Sequence, residues 1–156
     1  MTIEDDIAFL ERVPSLALLG RPALRILAIG AESRQLQPEE LLFSAGEEAD
    51  CGFVIQRGSL ALKPNTSDIS AQEAIVRPGT LVGELALLTD SLRPVTARAI
   101  ESSTVMRISR SLFLKMLEGF PDAAVRLRDH VATRVDQSAR DMSYVRGRLG
   151  PGGGRS

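Results

Sequence analysis

The residues best suited to chemistry lie in one stretch, Gly83-Glu84-Leu85-Ala86-Leu87-Leu88, followed after Thr89 to Leu92 by Arg93-Pro94-Val95-Thr96. Gly83 has no Cβ, so a ligand can approach its backbone closely. Glu84 to Leu88 is long enough for one helical turn, whose leading N–H groups have no partner within the turn and favour an anion. Arg93 returns after a short interval and can offer a guanidinium to the same anion. Glu84 is an acceptor beside it, suited to a sugar hydroxyl. An anion clamp next to a sugar acceptor points to a nucleotide. A Gly-Glu pair or a single arginine carries little by itself; the reading rests on their joint occurrence in one segment of an all-β pattern.

The elements that must position this segment follow from hydrophobic periodicity. Ile3 to Leu10 reads as a short helix with Ile7 and Leu10 on one side, broken at Pro14. Pro22 opens a second helix, because a missing N–H costs nothing in a first turn. Gly30 closes it, as glycine often does just past a helix end. Leu24, Ile26, Leu27 and Ile29 are too apolar for an exposed helix, so this one packs on a core. From Arg34 to Ser109 short apolar runs alternate with turn residues. Leu41 to Phe43 precedes Ala45-Gly46. Phe53 to Ile55 and Leu60 to Leu62 flank Arg57-Gly58 and read as a hairpin turning at Gly58. Pro64 to Ser70 is polar and reads as a loop, and Ala74 to Val76 precedes a turn at Pro78-Gly79. Val95 to Ala99 and Thr104 to Ile108 form a last pair, with Thr104, Met106 and Ile108 on one face. Many short strands at regular spacing predict a mainly β fold with flanking helices: a roll, sandwich or barrel.

After Ser109 the period becomes helical again. Leu112, Phe113, Met116 and Leu117 make an amphipathic segment ending at Gly119, and Pro121 starts a longer helix to about Arg146. Val131, Val135, Ser138, Met142 and Val145 follow one another by alternating steps of four and three residues, the pattern of a coiled-coil seam. Ala124, Leu127 and Val131 are expected to lie on the roll. The later half is expected to pair with a second copy in a symmetric homodimer, the alternative being a helix that packs only on its own roll.

Composition bounds the partners. A chain of 156 residues fits one domain with its own core. The net charge of -1 supplies no bulk attraction for nucleic acid. Arg126, Arg128, Arg134 and Arg140 are interleaved with Asp129, Asp136 and Asp141, which reads as a solvated helix face. Cys51 is the single cysteine, so no intramolecular disulfide can form, and a reducing cytoplasm is the expected location. It is read as a packing or incidental residue in a turn before a strand, not as a nucleophile. Met1 to Asp6 is acidic, unlike the start of a signal peptide, and apolar runs such as Ile26 to Ile29 are too short to cross a bilayer. His130 is the only histidine and sits in the long helix, read as a surface or seam residue far from the roll. Neither a metal set nor a Ser-His-Asp or Cys-His arrangement is expected around it. No enzyme activity, metal, cofactor, nucleic acid or membrane contact is therefore expected.

In this context the stretch from Gly83 to Leu87, with Arg93 and Thr96, resembles the phosphate-binding cassette of cyclic-nucleotide-binding domains. That family includes the catabolite activator protein, the regulatory subunits of cAMP-dependent protein kinase and cyclic-nucleotide-gated channels. Gly46, Asp50, Phe53, Ile55 and Gly58, within GEEADCGFVIQRGSL, resemble the family's first conserved block. Arg77-Pro78-Gly79 resembles the turn into the cassette, and Phe113 and Pro121 match the helices that follow. The similarity runs from about Phe9 to about Arg140.

The resemblance implies a double-stranded β-helix, a jelly-roll-like β-roll, with N-terminal helices and a long C-terminal helix over about 121–146. The domain would occupy 1–146, and the glycine-rich 147–156 would be a flexible tail. It further implies that Glu84 accepts from the ribose 2′-hydroxyl and that Arg93 pairs with the cyclic phosphate. Gly83 and the N–H groups near Leu85 and Ala86 would complete the cradle, with Pro94 and Val95 beside it. Aligned from Pro121, Ser138 falls where the catabolite activator protein has a threonine that contacts the adenine amino group, so it would either read the base or sit at a helix seam. Pro94 departs from the pattern: family members often carry alanine, serine or threonine there, and proline has no N–H to offer the phosphate. A lost hydrogen bond to a charged group is worth about 1.5–3 kcal/mol, which would weaken binding without abolishing it. The absent hydroxyl favours cAMP over cGMP.

The expected function is cAMP sensing by a regulatory module whose C-terminal helix moves and so signals to an effector protein. The end at Gly150 to Gly154 leads to the expectation of a stand-alone member without a helix-turn-helix. The alternatives are a fragment of a transcription regulator lacking its DNA-binding part, and a degenerate interaction module that binds no nucleotide.

Overall fold

Local chemistry sets the ends of the first helices. The computed structural model describes residues 2–64 and 72–130. Helix α1 (Ile3–Leu10) starts at Thr2, whose hydroxyl accepts from the N–H of Asp5 while the Asp5 carboxylate accepts from the N–H of Thr2, both at 3.1 Å. This reciprocal capping box fixes the first turn. Helices α2 (Pro14–Ala17) and α3 (Arg21–Gly30) each carry proline in their first turn, as expected for Pro22. Gly30 differs from its expected role: it lies within the last turn of α3, not beyond it. Its absent side chain makes room, since a Cβ there would approach Leu112 Cδ1 to 2.6 Å. Helix α3 can thus lie directly against α4 (Arg110–Gly119).

Among the described residues ten strands follow α3: β1 (Glu32–Leu36), β2 (Leu41–Phe43), β3 (Glu48–Ala49), β4 (Cys51–Arg57), β5 (Leu60–Pro64), β6 (Ala74–Val76), β7 (Leu81–Val82), β8 (Ser91–Leu92), β9 (Val95–Ala99) and β10 (Ser103–Ser109). They form two four-stranded antiparallel sheets, ordered β1-β10-β4-β7 and β2-β9-β5-β6, and a small β3-β8 pair. The fold is a mainly β roll with flanking helices, as the sequence pattern predicts.

Pairing departs from sequence order in two places. Strands β4 and β5 do not form a hairpin at Gly58; they belong to opposite sheets. Gly58 instead turns a corner between sheets at φ +85°, where a Cβ would lie 2.7 Å from Ser102 O and 2.8 Å from Ser103 Cα. Strands β9 and β10 likewise pair with other strands, β9 with β2 and β5, β10 with β1 and β4. Period-two patterning identifies a strand and its faces but says nothing of its partner. A bulge between Thr104 and Val105 interrupts the register of β10, and beyond it Met106 and Ile108 share one face as expected.

The sheet containing β4 and β10 is buried on both faces. Val54, Met106 and Ile108 face the helices, joining Leu10, Leu24, Leu27, Phe113 and Met116. Phe53, Ile55 and Val105 point into the roll, against Phe43, Leu60, Ala97 and Ala99 of the other sheet. Alternating side chains of single strands therefore build two cores. Residues 121–130 are helical (α5), with Ala123 and Leu127 buried in the helix-side core. Arg126, expected on a solvated face, is instead a fastener: Nε donates to Leu18 O at 2.6 Å and Nη2 to Leu19 O at 2.9 Å. It binds the carbonyls that α2 leaves open at its end. The polar loop of residues 65–70, the seam from Val131 to Val145 with its dimer, Ser138 and the tail 147–156 lie outside the described residues.

Candidate ligand site

Gly83 ends β7 in the left-handed region, φ +84°, and opens a 3-10 turn at Glu84–Leu87. The helical turn expected from Glu84 to Leu88 is thus tighter and one residue shorter. The N–H of Ala86 donates to Gly83 O at 3.2 Å, so this expected cradle donor is engaged within the turn. Leu85 is largely exposed, while Ala86 and Leu87 are buried beneath the turn. Arg110, the first residue of α4, pins the turn from below: Nε donates to Ala86 O at 2.8 Å, Nη2 to Ala49 O at 2.6 Å, and Nη1 pairs with Asp90.

Arg93 lies in the connection between β8 and β9. Its N–H donates to Glu47 O and its carbonyl accepts from Gly46 N–H, both at 2.8 Å, which turns the side chain inward. The residue is 5 % exposed. Its guanidinium carbon sits 4.3 Å from the ring centroid of Phe43 and 5.6 Å from that of Phe53, within the range of cation–π attraction. Nη2 donates to Cys51 Sγ at 3.3 Å, and Nη1 is buried with no hydrogen-bond partner among the described residues. A Cβ on Gly83 would stand 2.6 Å from that same Nη1, so only glycine admits the guanidinium here. A buried cation with an unused donor is costly unless an anion meets it.

A cavity of about 590 Å³ opens at this point, lined by Gly83, Glu84, Arg93, Pro94 and Val95. Five residues expected to bind ligand thus line one cavity. Leu85 and Ala86 could contribute only through their backbone, and Ser138 lies outside the described residues. The site also recruits residues that sequence reasoning placed elsewhere. His130 lines the cavity from α5 and is not remote from the roll. Cys51 is buried in the roll's core, as a packing residue would be, but it is the first residue of β4 and not part of a turn, and it contacts Arg93. Phe43 reads in the sequence as an apolar strand position, and Phe53 as one within the block that resembles the family; their use as a seat for a cation depends on pairing across the roll. Ser15 of α2 also reaches the cavity wall, so α2 and α5 border the site together. Among the described residues no group of three or more His, Cys, Asp or Glu side chains is placed to hold a metal ion, and no helix is long and apolar enough to cross a membrane.

Comparison with known proteins agrees with this architecture. Residues 33–120 match the family model described as cyclic nucleotide-binding domain. A solved cyclic nucleotide-binding-like protein from Brucella abortus is 35% identical, with a TM-score of 0.64 over 73% of this chain and 98% of that one. The N-terminal domain of a transcriptional regulator from Streptomyces coelicolor is 26% identical, with a TM-score of 0.76 over 86% and 94%. An uncharacterized NTE family protein of Mycobacterium tuberculosis is 30% identical over 72% of this chain, which spans only 19% of that protein's length. The match covers most of the β-roll and the cavity lining from Phe43 to Val95, and the chain belongs to the cyclic nucleotide-binding domain family.

Proposed function

We propose that the cavity binds a cyclic nucleotide, cAMP in preference to cGMP, and that the domain is a regulatory module without catalytic activity of its own. The observation that carries this reading is the Arg93 guanidinium, 5 % exposed at the cavity wall with Nη1 unpartnered. A cyclic phosphate satisfies that donor and compensates the buried charge. Glu84, lining the same cavity, accepts from the ribose 2′-hydroxyl. Pro94 lines the cavity without an N–H to offer, which lowers affinity by one or two decades and removes a hydroxyl that would favour guanine. His130 borders the cavity from α5, so ligand shifts the population of α5 placements over the roll and exposes or hides a surface for an effector or a second copy. The setting is cytoplasmic, and the homodimer forms through the seam residues Val131 to Val145.

Pro94 and the engaged Ala86 N–H favour one other reading, an interaction module that keeps the roll and binds no nucleotide. Arg93→Ala separates the two. The variant should keep the parent's fold and lose about 10- to 150-fold in cAMP affinity, the scale of a charge-assisted hydrogen bond. Equal binding by parent and variant would contradict the phosphate assignment.

A further inference from the structure

Among the described residues the Arg93 guanidinium is held by three contacts, of which one selects a particular nitrogen. The rings of Phe43 and Phe53, 4.3 and 5.6 Å away, attract the cation by their faces and leave its in-plane orientation open. The third contact, from Nη2 to Cys51 Sγ at 3.3 Å, fixes that orientation. Nη1 is then left unpartnered beside Gly83, at the cavity wall.

We propose that Cys51 is a positioning residue for ligand capture: its sulfur accepts from Nη2 and thereby presents Nη1 to the anion. The proposal rests on the cavity being a cyclic-nucleotide site. Cys51 is 4 % exposed at the head of β4, paired in register with Ser109, so it acts through Arg93 and not by touching the ligand. The same residue borders Gly83 from the other side, its carbonyl oxygen lying 3.2 Å from where a Gly83 Cβ would stand. One strand residue therefore bears on both halves of the anion clamp. What the site needs at position 51 is a small side chain with an acceptor; thiol reactivity plays no part.

The test compares Cys51→Ala and Cys51→Ser with the parent by two readouts: calorimetric titration with cAMP, and NMR of Arg93 guanidinium rotation in the unliganded protein. Cys51→Ala should bind about fivefold more weakly, the scale of one weak hydrogen bond, while Cys51→Ser stays within about twofold because its hydroxyl can still accept. Rotation should be slow in the parent and in Cys51→Ser and fast in Cys51→Ala. If Cys51→Ala matches the parent in both readouts, or Cys51→Ser is impaired as much as Cys51→Ala, the positioning role is overturned. Should the parent bind neither cAMP nor cGMP while rotation still depends on residue 51, the cyclic-nucleotide reading fails and the positioning of Arg93 by Cys51 stands.

Discussion

Replacing Gly83 by alanine tests the geometry of the clamp at a single methyl group. At φ +84° any L-residue is strained by about 1–2 kcal/mol. The new Cβ would also lie 2.6 Å from Arg93 Nη1 and 3.2 Å from Cys51 O, so the guanidinium must leave its place against Phe43. A desolvated cation–π contact of this kind is worth up to about 2 kcal/mol. Together these give roughly 2–4 kcal/mol, a fall in thermal midpoint on the order of 10 °C for a domain of this size. A displaced guanidinium should also cost at least about tenfold in cAMP affinity. The informative comparison is a double-mutant cycle with Arg93→Leu, read by chemical denaturation. Without the guanidinium only the backbone strain remains, so Gly83→Ala should then cost about 1–2 kcal/mol, and the two changes should couple by a similar amount. Equal costs in both backgrounds would mean that Nη1 does not occupy the space beside Gly83, and the account of the clamp would be wrong.

Other perturbations address separate parts of the account. Glu84→Ala, which removes the acceptor, should erase most of the preference for cAMP over 2′-deoxy-cAMP, measured by competition; an unchanged preference would remove Glu84 from the ribose. Arg126→Ala deletes both hydrogen bonds to Leu18 and Leu19 carbonyls, so residues 121–130 should exchange amide hydrogen several-fold faster than in the parent, with β4 and β10 unaffected. In α1, hydrogen bonds from Arg25 and then Arg21 hold the Glu4 carboxyl below its usual value of 4.5, and hydrogen bonds from the Thr2 backbone and side chain hold Asp5 below 3.8. Because these pKa values are lowered by folding, the stabilisation is complete above the ordinary carboxylate range and is lost as pH falls through the lowered values. Acidification below about pH 4 should therefore loosen α1 ahead of the roll, seen as early shifts in its NMR signals. Glu4→Gln combined with Asp5→Asn should abolish that early step.

Much of this molecule was legible in its sequence, and the limits have physical causes. Gly83, Glu84, Arg93, Pro94 and Val95 are close in the chain, so local spacing was enough to place them around one cavity. Gly58 announced a turn, yet its geometry at a corner between sheets depends on Ser102 and Ser103, more than forty residues away. The same distance hides the seat of Arg93: Phe43, Cys51 and Phe53 meet it only through the antiparallel pairing of the roll. Arg126 reads as one more charge on a wet helix because the carbonyls it binds, just past the end of α2, lie more than a hundred residues earlier in the chain. His130 was discounted for its distance along the chain, although α5 folds back over the cavity.

Calorimetric titration of the purified protein with cAMP, and separately with cGMP, tests the central claim most directly. The account predicts micromolar or tighter binding of cAMP, with cGMP weaker. The absence of heat and of thermal stabilisation with both ligands would contradict it, and would mean that the unpartnered donor of Arg93 serves some other anion or none.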